Sequence, residues 1–192
     1  YNLRCAIIPD SWSMIDYLDF FKRIQGGGTP MTDQELRRAI SRGPFTTMLD
    51  SLADGEGETS RRLADVLGGT VLPKDEKQEL LLRYFALRCD GPRDFYKPSM
   101  KQHALELMKR LNKEEADARI DEWRRGLDAA LELALIVFPD PKERFRLAID
   151  NGGADPRFRT SASVQKHIWD TVLYCLSRPD RKAALVARAS EV

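Results

Sequence analysis

Three kinds of residue are scarce in this 192-residue chain, and each shortage removes a class of function. Only three cysteines occur, Cys5, Cys89 and Cys175, widely spaced and odd in number. That suits a reducing compartment such as the cytoplasm better than a disulfide framework. Two histidines, His103 and His167, with no Cys-x-x-Cys pair beside them, leave no zinc site to build, so no metal ligands are assigned. Net charge is also nearly absent: 31 Lys and Arg balance 30 Asp and Glu, giving +1, which argues against a histone-like polyanion binder and against an acidic solvating tail. No apolar run approaches the roughly 18 residues a membrane helix needs. The longest, Ala129 to Phe138, is interrupted by Glu132, so no membrane span is expected.

What is present is material for one sizeable core, since 42% of residues are hydrophobic. The pattern predicts a mainly α fold: an irregular helical domain of about eight to ten helices with one N-terminal strand at Tyr1 to Pro9. That strand reads as cut from something upstream, and no secretory signal precedes it. Helices are expected from the cap residues at Asp10–Ser13 to about Ile24, from the capping box Thr32-Asp33-Gln34-Glu35 to Ile40, and from Pro44 to Leu52. Further ones are expected over Arg61–Leu67, Lys74–Arg88, Ser99–Leu111, Lys113–Val137, Lys142–Ile149, Ser161–Leu176 and Pro179–Ala189. Asp54 to Glu58 reads as a loop. The longest helix carries Ala116, Ile120, Trp123, Leu127, Ala130, Leu131, Ala134 and Leu135 at 3–4 spacing, one buried stripe. Trp12, Trp123 and Trp169 read as core anchors. Residues 1–30 divide from residues 31–192 at the glycine run.

Charge is unevenly spread. Residues 142–192 hold a net +4 against −3 in the remainder. Arg157, Arg159, Lys166, Arg178, Arg181 and Lys182 are therefore candidates for a DNA phosphate contact, set against the alternative of an ordinary solvated face. No catalytic residues emerge: no nucleophile elbow is present, Cys89 has no histidine partner in sequence, and Asp75-Glu76-Lys77 lacks the paired Pro-Asp a nuclease would need.

The informative stretch is Phe20-Phe21-Lys22-Arg23-Ile24-Gln25-Gly26-Gly27-Gly28-Thr29-Pro30-Met31-Thr32-Asp33-Gln34-Glu35-Leu36-Arg37: a basic helix end, a glycine-rich turn and a freshly capped helix. Glycines allow backbone N–H groups close to an anion, and a helix N-terminus adds favourable partial charge. It is neither a Walker A loop nor a dinucleotide fingerprint, and a plain helix–helix connection is the other reading.

This stretch resembles the "Phe-x-Arg-Ile-Asn-Thr-Gly-Gly-x-Pro-Leu-x-x-Gln-Glu-Leu-Arg-Asn-Ala" signature of the GmrSD-type restriction endonuclease N-terminal domain family. Leu80 to Leu87, Phe95 to Met100, and Val137-Phe138 with Phe145-Arg146 resemble later family segments in the same order. The resemblance implies a helical region following a ParB/sulfiredoxin-like core. It also implies a nucleotide-dependent DNA-targeting system of restriction or phage defence. The family's core motif Asp-Gly-Gln-Gln-Arg does not occur here; Asp90-Gly91-Pro92-Arg93 lacks both glutamines. Gln25 stands for the family's Asn, and Gly26 for its Thr. By position the resemblance makes Lys22, Arg23, Gln25, Gly27 and Gly28 nucleotide-binding candidates, with Arg23 contacting a phosphate or bracing the core's acidic motif. Gln34 and Glu35 would cap the next helix. No cofactor is expected within the chain, and an NTP with Mg only where the core is present. The partners implied are an upstream core domain or another protein subunit, and DNA. The rival expectation is a catalytically degenerate relative serving as a helical scaffold or interaction subunit.

Overall fold

The computed structural model describes residues 7, 9, 11–24, 31–55, 57–95, 100–113, 116–141, 144–145, 148–149, 159–160 and 164–178. Among them the chain is mainly α, with eight helices. In chain order these are α1 (Met14–Ile24), α2 (Asp33–Ile40), α3 (Pro44–Asp54), α4 (Gly57–Val66), α5 (Lys74–Phe95), α6 (Met100–Lys113), α7 (Ala116–Val137) and α8 (Lys166–Leu176). No helix among the described residues is long and apolar enough to cross a membrane. The expected N-terminal strand lies outside the described residues, apart from Ile7 and Pro9, and so does the helix expected after Pro179.

The apolar run of α5 makes it the central helix. Every residue from Leu80 to Leu87 is buried, so this segment is covered on all sides rather than along one stripe. Helices α2, α3, α6 and α8 pack around it, while α7 closes the bundle against α3, α4 and α8. At the centre Phe45 of α3 meets Phe85 edge-on at 5.4 Å and Trp123 at 5.6 Å between ring centroids. The expected stripe of α7 is seen in buried Trp123, Leu127, Ala130, Leu131 and Ala134, with Ile120 and Leu135 half-buried at its edges.

Helix ends follow local chemistry. Gly91 takes φ 77°, a left-handed conformation that glycine enters without steric cost, and it breaks α5 where Asp90-Gly91-Pro92 was expected to end it. Gly43, just ahead of α3, is required by space instead: a Cβ there would fall 2.6 Å from the Asn112 amide oxygen. That amide seals the α2–α3 corner. Its Nδ2 donates to the Ser41 carbonyl at 3.0 Å and to Thr46 Oγ1 at 2.9 Å, while its Oδ1 accepts from the Thr46 N–H at 3.1 Å.

Four expectations need correction. Helix α4 begins at Gly57, so Glu58 lies in its first turn instead of in a loop, where its carboxylate accepts from Arg62 at 3.1 Å. No helix spans Lys142–Ile149. Arg144 and Phe145 form a turn with Phe145 at φ 52°, and Ala148–Ile149 (β1) pairs antiparallel with Arg159–Thr160 (β2). The cause is the buried Arg144 guanidinium, which donates to the carbonyls of Phe138, Pro139 and Asp65 and so closes the ends of α7 and α4. Burial lowers the pKa of this guanidinium, and Asp140 and Asp65 act in the opposite direction. Helix α8 starts at Lys166, not Ser161, because Gln165 is extended and its N–H donates to the Phe145 carbonyl at 2.7 Å. Trp12 is no core anchor: it is 37% exposed and rests edge-on against Phe20.

One core group lacks a partner. The Tyr84 hydroxyl is buried with no hydrogen bond among the described residues. Burial, the main cause, pushes its pKa up to about 12; Arg88 opposes the shift and Cys89 adds to it. Because the folded value lies above the unfolded one, the contribution is fully present below about pH 10 and is lost as pH rises through about 12. Tyr84→Phe should therefore leave neutral-pH stability unchanged or raised by about 1 kcal/mol, and flatten the decline above pH 10. Urea melts of both proteins at pH 7 and pH 11 measure this; a loss of stability at pH 7 would show that the hydroxyl is bonded after all.

Candidate functional site

The motif-bearing stretch is built on α1 and α2. At the start of α1, Ser13 and Asp16 cap each other: the Ser13 N–H and Oγ donate to the Asp16 carboxylate at 2.9 and 2.6 Å. Those bonds hold the Asp16 pKa below the usual carboxylate range. Tyr17, Phe21 and Ile24 follow at i, i+4 and i+7, and all three face solvent, Ile24 with 63% of its surface. Arg23 is also exposed, in the last turn. Lys22 belongs to α1, although its side chain lies outside the described residues, as do Gln25, Gly27 and Gly28 entirely. Beyond the turn, α2 opens with the expected capping box. Thr32 Oγ1 accepts from the Glu35 N–H at 3.1 Å, and the Glu35 carboxylate accepts from the Thr32 N–H at 2.7 Å.

Gln34 does not cap. It turns inward, and its Oε1 accepts from Arg37 Nε and Nη2 at 3.1 and 2.9 Å. Arg37 is buried and also donates to Glu79 of α5. Glu79 sits 3.8 Å from Arg83, one turn further along α5, and Arg83 grips Asp170 of α8 through Nε at 2.9 Å and through Nη2. A chain of charge thus runs from the motif through the central helix to the last one. Its signal in sequence was an arginine inside the otherwise apolar Leu80–Leu87 run. A buried charge must find a partner, because desolvation alone is expensive.

Two clefts flank α2. One, of about 350 Å³, opens where the first turns of α2, α5 and α8 meet. Its carboxylates Asp33, Asp75, Glu76 and Glu79 outnumber its cations Arg37 and Lys166, so a bare anion is disfavoured there. The other, of about 540 Å³, lies between α2 and α3 and is lined at one side by Met31. It carries Arg38, which pairs with Asp50 at 2.8 Å, and the exposed Arg42, beside the Thr46 and Thr47 turn of α3.

The C-terminal basic candidates are only partly placed. Arg157, Arg181 and Lys182 lie outside the described residues, and Arg159 stands in β2. Lys166 and Arg178 are both exposed but flank opposite ends of α8, on the order of 18 Å apart along the axis. One ligand spanning both would have to lie along the whole helix. Of the two histidines, His103 meets Asp90 at 3.1 Å, and His167 is exposed. Among the described residues no three His, Cys, Asp or Glu side chains cluster to hold a metal ion.

Family models, curated proteins and solved structures give no match to this chain.

Proposed function

We propose that this chain is the helical portion of a GmrSD-type, nucleotide-dependent DNA-targeting protein, acting in restriction or phage defence. The observation that carries the reading is α1. The helix that carries Arg23 exposes Tyr17, Phe21 and Ile24 along one stripe. In this reading a ParB-like core packs on that stripe, which brings the Arg23 guanidinium to a phosphate of an NTP bound with Mg. In the same reading Arg42, in the α2–α3 cleft that Met31 lines, would serve as a second cation for that anion.

Phosphate release from Mg-ATP and Mg-GTP by the full protein tests this. Arg23→Ala should abolish release while changing stability by less than about 0.5 kcal/mol, as for other exposed positions. Hydrolysis that persists in Arg23→Ala sinks the reading.

The burial of Gln34 and Arg37 favours a second reading, a helical scaffold or interaction subunit without catalysis. Both motif side chains are spent inside the fold, where they hold helices together. Under that reading the full protein releases no phosphate from either nucleotide, and Arg23→Ala weakens only the capture of a protein partner.

A further inference from the structure

A shallow groove of about 410 Å³ runs between α3 and α7. Pro44, Thr47, Met48 and Ser51 line it from α3 at i, i+3, i+4 and i+7, and Ile120 and Arg124 line it from α7 at i and i+4. Its surface is mostly apolar, and Arg124 is the one charged residue in its lining. Arg124 Nε is sealed from water with no hydrogen-bond acceptor among the described residues. The acceptor expected one turn along α7 is Asp128, but Arg62 of α4 has claimed that carboxylate. The Asp128 Oδ1 is itself buried with no hydrogen bond among the described residues.

An arginine beside an apolar strip, deprived of its own counter-ion, is complementary to a carboxylate carried between apolar side chains. We propose that this groove docks an acidic-apolar peptide segment of a partner protein. One Glu or Asp of that segment pairs with Arg124, and flanking aliphatic residues lie over the half-buried Pro44 and Ile120. Arg124 is half-buried, so its outer nitrogens are the ones a docked carboxylate meets, and guanidinium and carboxylate match there in a two-pronged geometry. The groove follows about 10 Å of α3, from Pro44 to Ser51, and is open along its length, which suits an elongated segment better than an enclosed small molecule. The inference is independent of the nucleotide reading, since no groove residue belongs to the glycine-turn segment.

The probe is a blocked peptide, acetyl-Ser-Leu-Leu-Glu-Ile-Ser-amide, titrated into isotopically labelled protein while amide chemical shifts are followed. Saturable shifts should concentrate at residues 45–51 and 120–124, and the same peptide with Gln for Glu should bind about tenfold more weakly. Arg124→Gln, which breaks no bond among the described residues, should erase the difference between the two peptides, and Arg124→Lys should restore part of it. Equal affinity of the wild-type protein for both peptides overturns the proposal, as do shifts mapping elsewhere or no saturable shifts.

Discussion

Asp170→Ala should cost about 3–5 kcal/mol of folding stability, enough to put a domain of this size close to unfolding. Asp170 is 0% exposed and meets Arg83 through two of its guanidinium nitrogens. Removing it takes a fully buried carboxylate away from a buried cation, whose ion pair with Glu79 is longer, at 3.8 Å. The pair is not expected to be strongly stabilising in itself, because its attraction is set against the desolvation of both ions. Arg83→Met combined with Asp170→Leu should therefore recover most of the loss. Denaturant titrations of wild type, both single variants and the double variant close the cycle. If Asp170→Ala alone loses under about 1 kcal/mol, the bridge is either solvated or unformed.

The second large effect belongs to Phe45. Phe45→Ala should destabilise by about 3–5 kcal/mol, and Phe45→Leu by well under half as much, because truncation at the junction of Phe85 and Trp123 leaves a void that three helices line. The same truncation at exposed Phe21 should fall within about 0.5 kcal/mol. Thermal melts of the three variants check the ordering. Equal losses at Phe45 and Phe21 would mean that α1 packs as tightly as the centre of the bundle.

Much of this architecture could be read from residue pattern. The 3–4 spacing of α7, the Thr32–Glu35 capping box and the Asp90-Gly91-Pro92 break each rest on interactions within a turn or two, which sequence displays directly. What escaped notice depends on residues far apart in the chain. Lys142–Ile149 has acceptable helical spacing, yet Arg144 is drawn toward carbonyls of α4 and α7, and no local rule announces that. Gln34 reads as a capping residue because the Arg37 it bonds is held inside the fold by Glu79, 42 positions further along the chain. The glycine-turn motif was legible as a motif, whereas the groove at Arg124 was not. Its character comes from Arg62 claiming Asp128 across 66 positions.

The position of α8 in the chain has a consequence for biosynthesis. Trp169 donates its indole N–H to the Leu80 carbonyl at 2.8 Å, and Asp170 answers Arg83, so the central helix is completed by residues 89 and 87 positions downstream. At roughly 5–20 residues per second a ribosome takes several seconds to cover that distance. Throughout that interval the Leu80–Leu87 face and the Arg83 cation wait without their cover. The nascent protein therefore passes through a sticky, half-closed stage that ends only when its last described helix emerges. Chaperone occupancy during translation should fall sharply once α8 clears the exit tunnel.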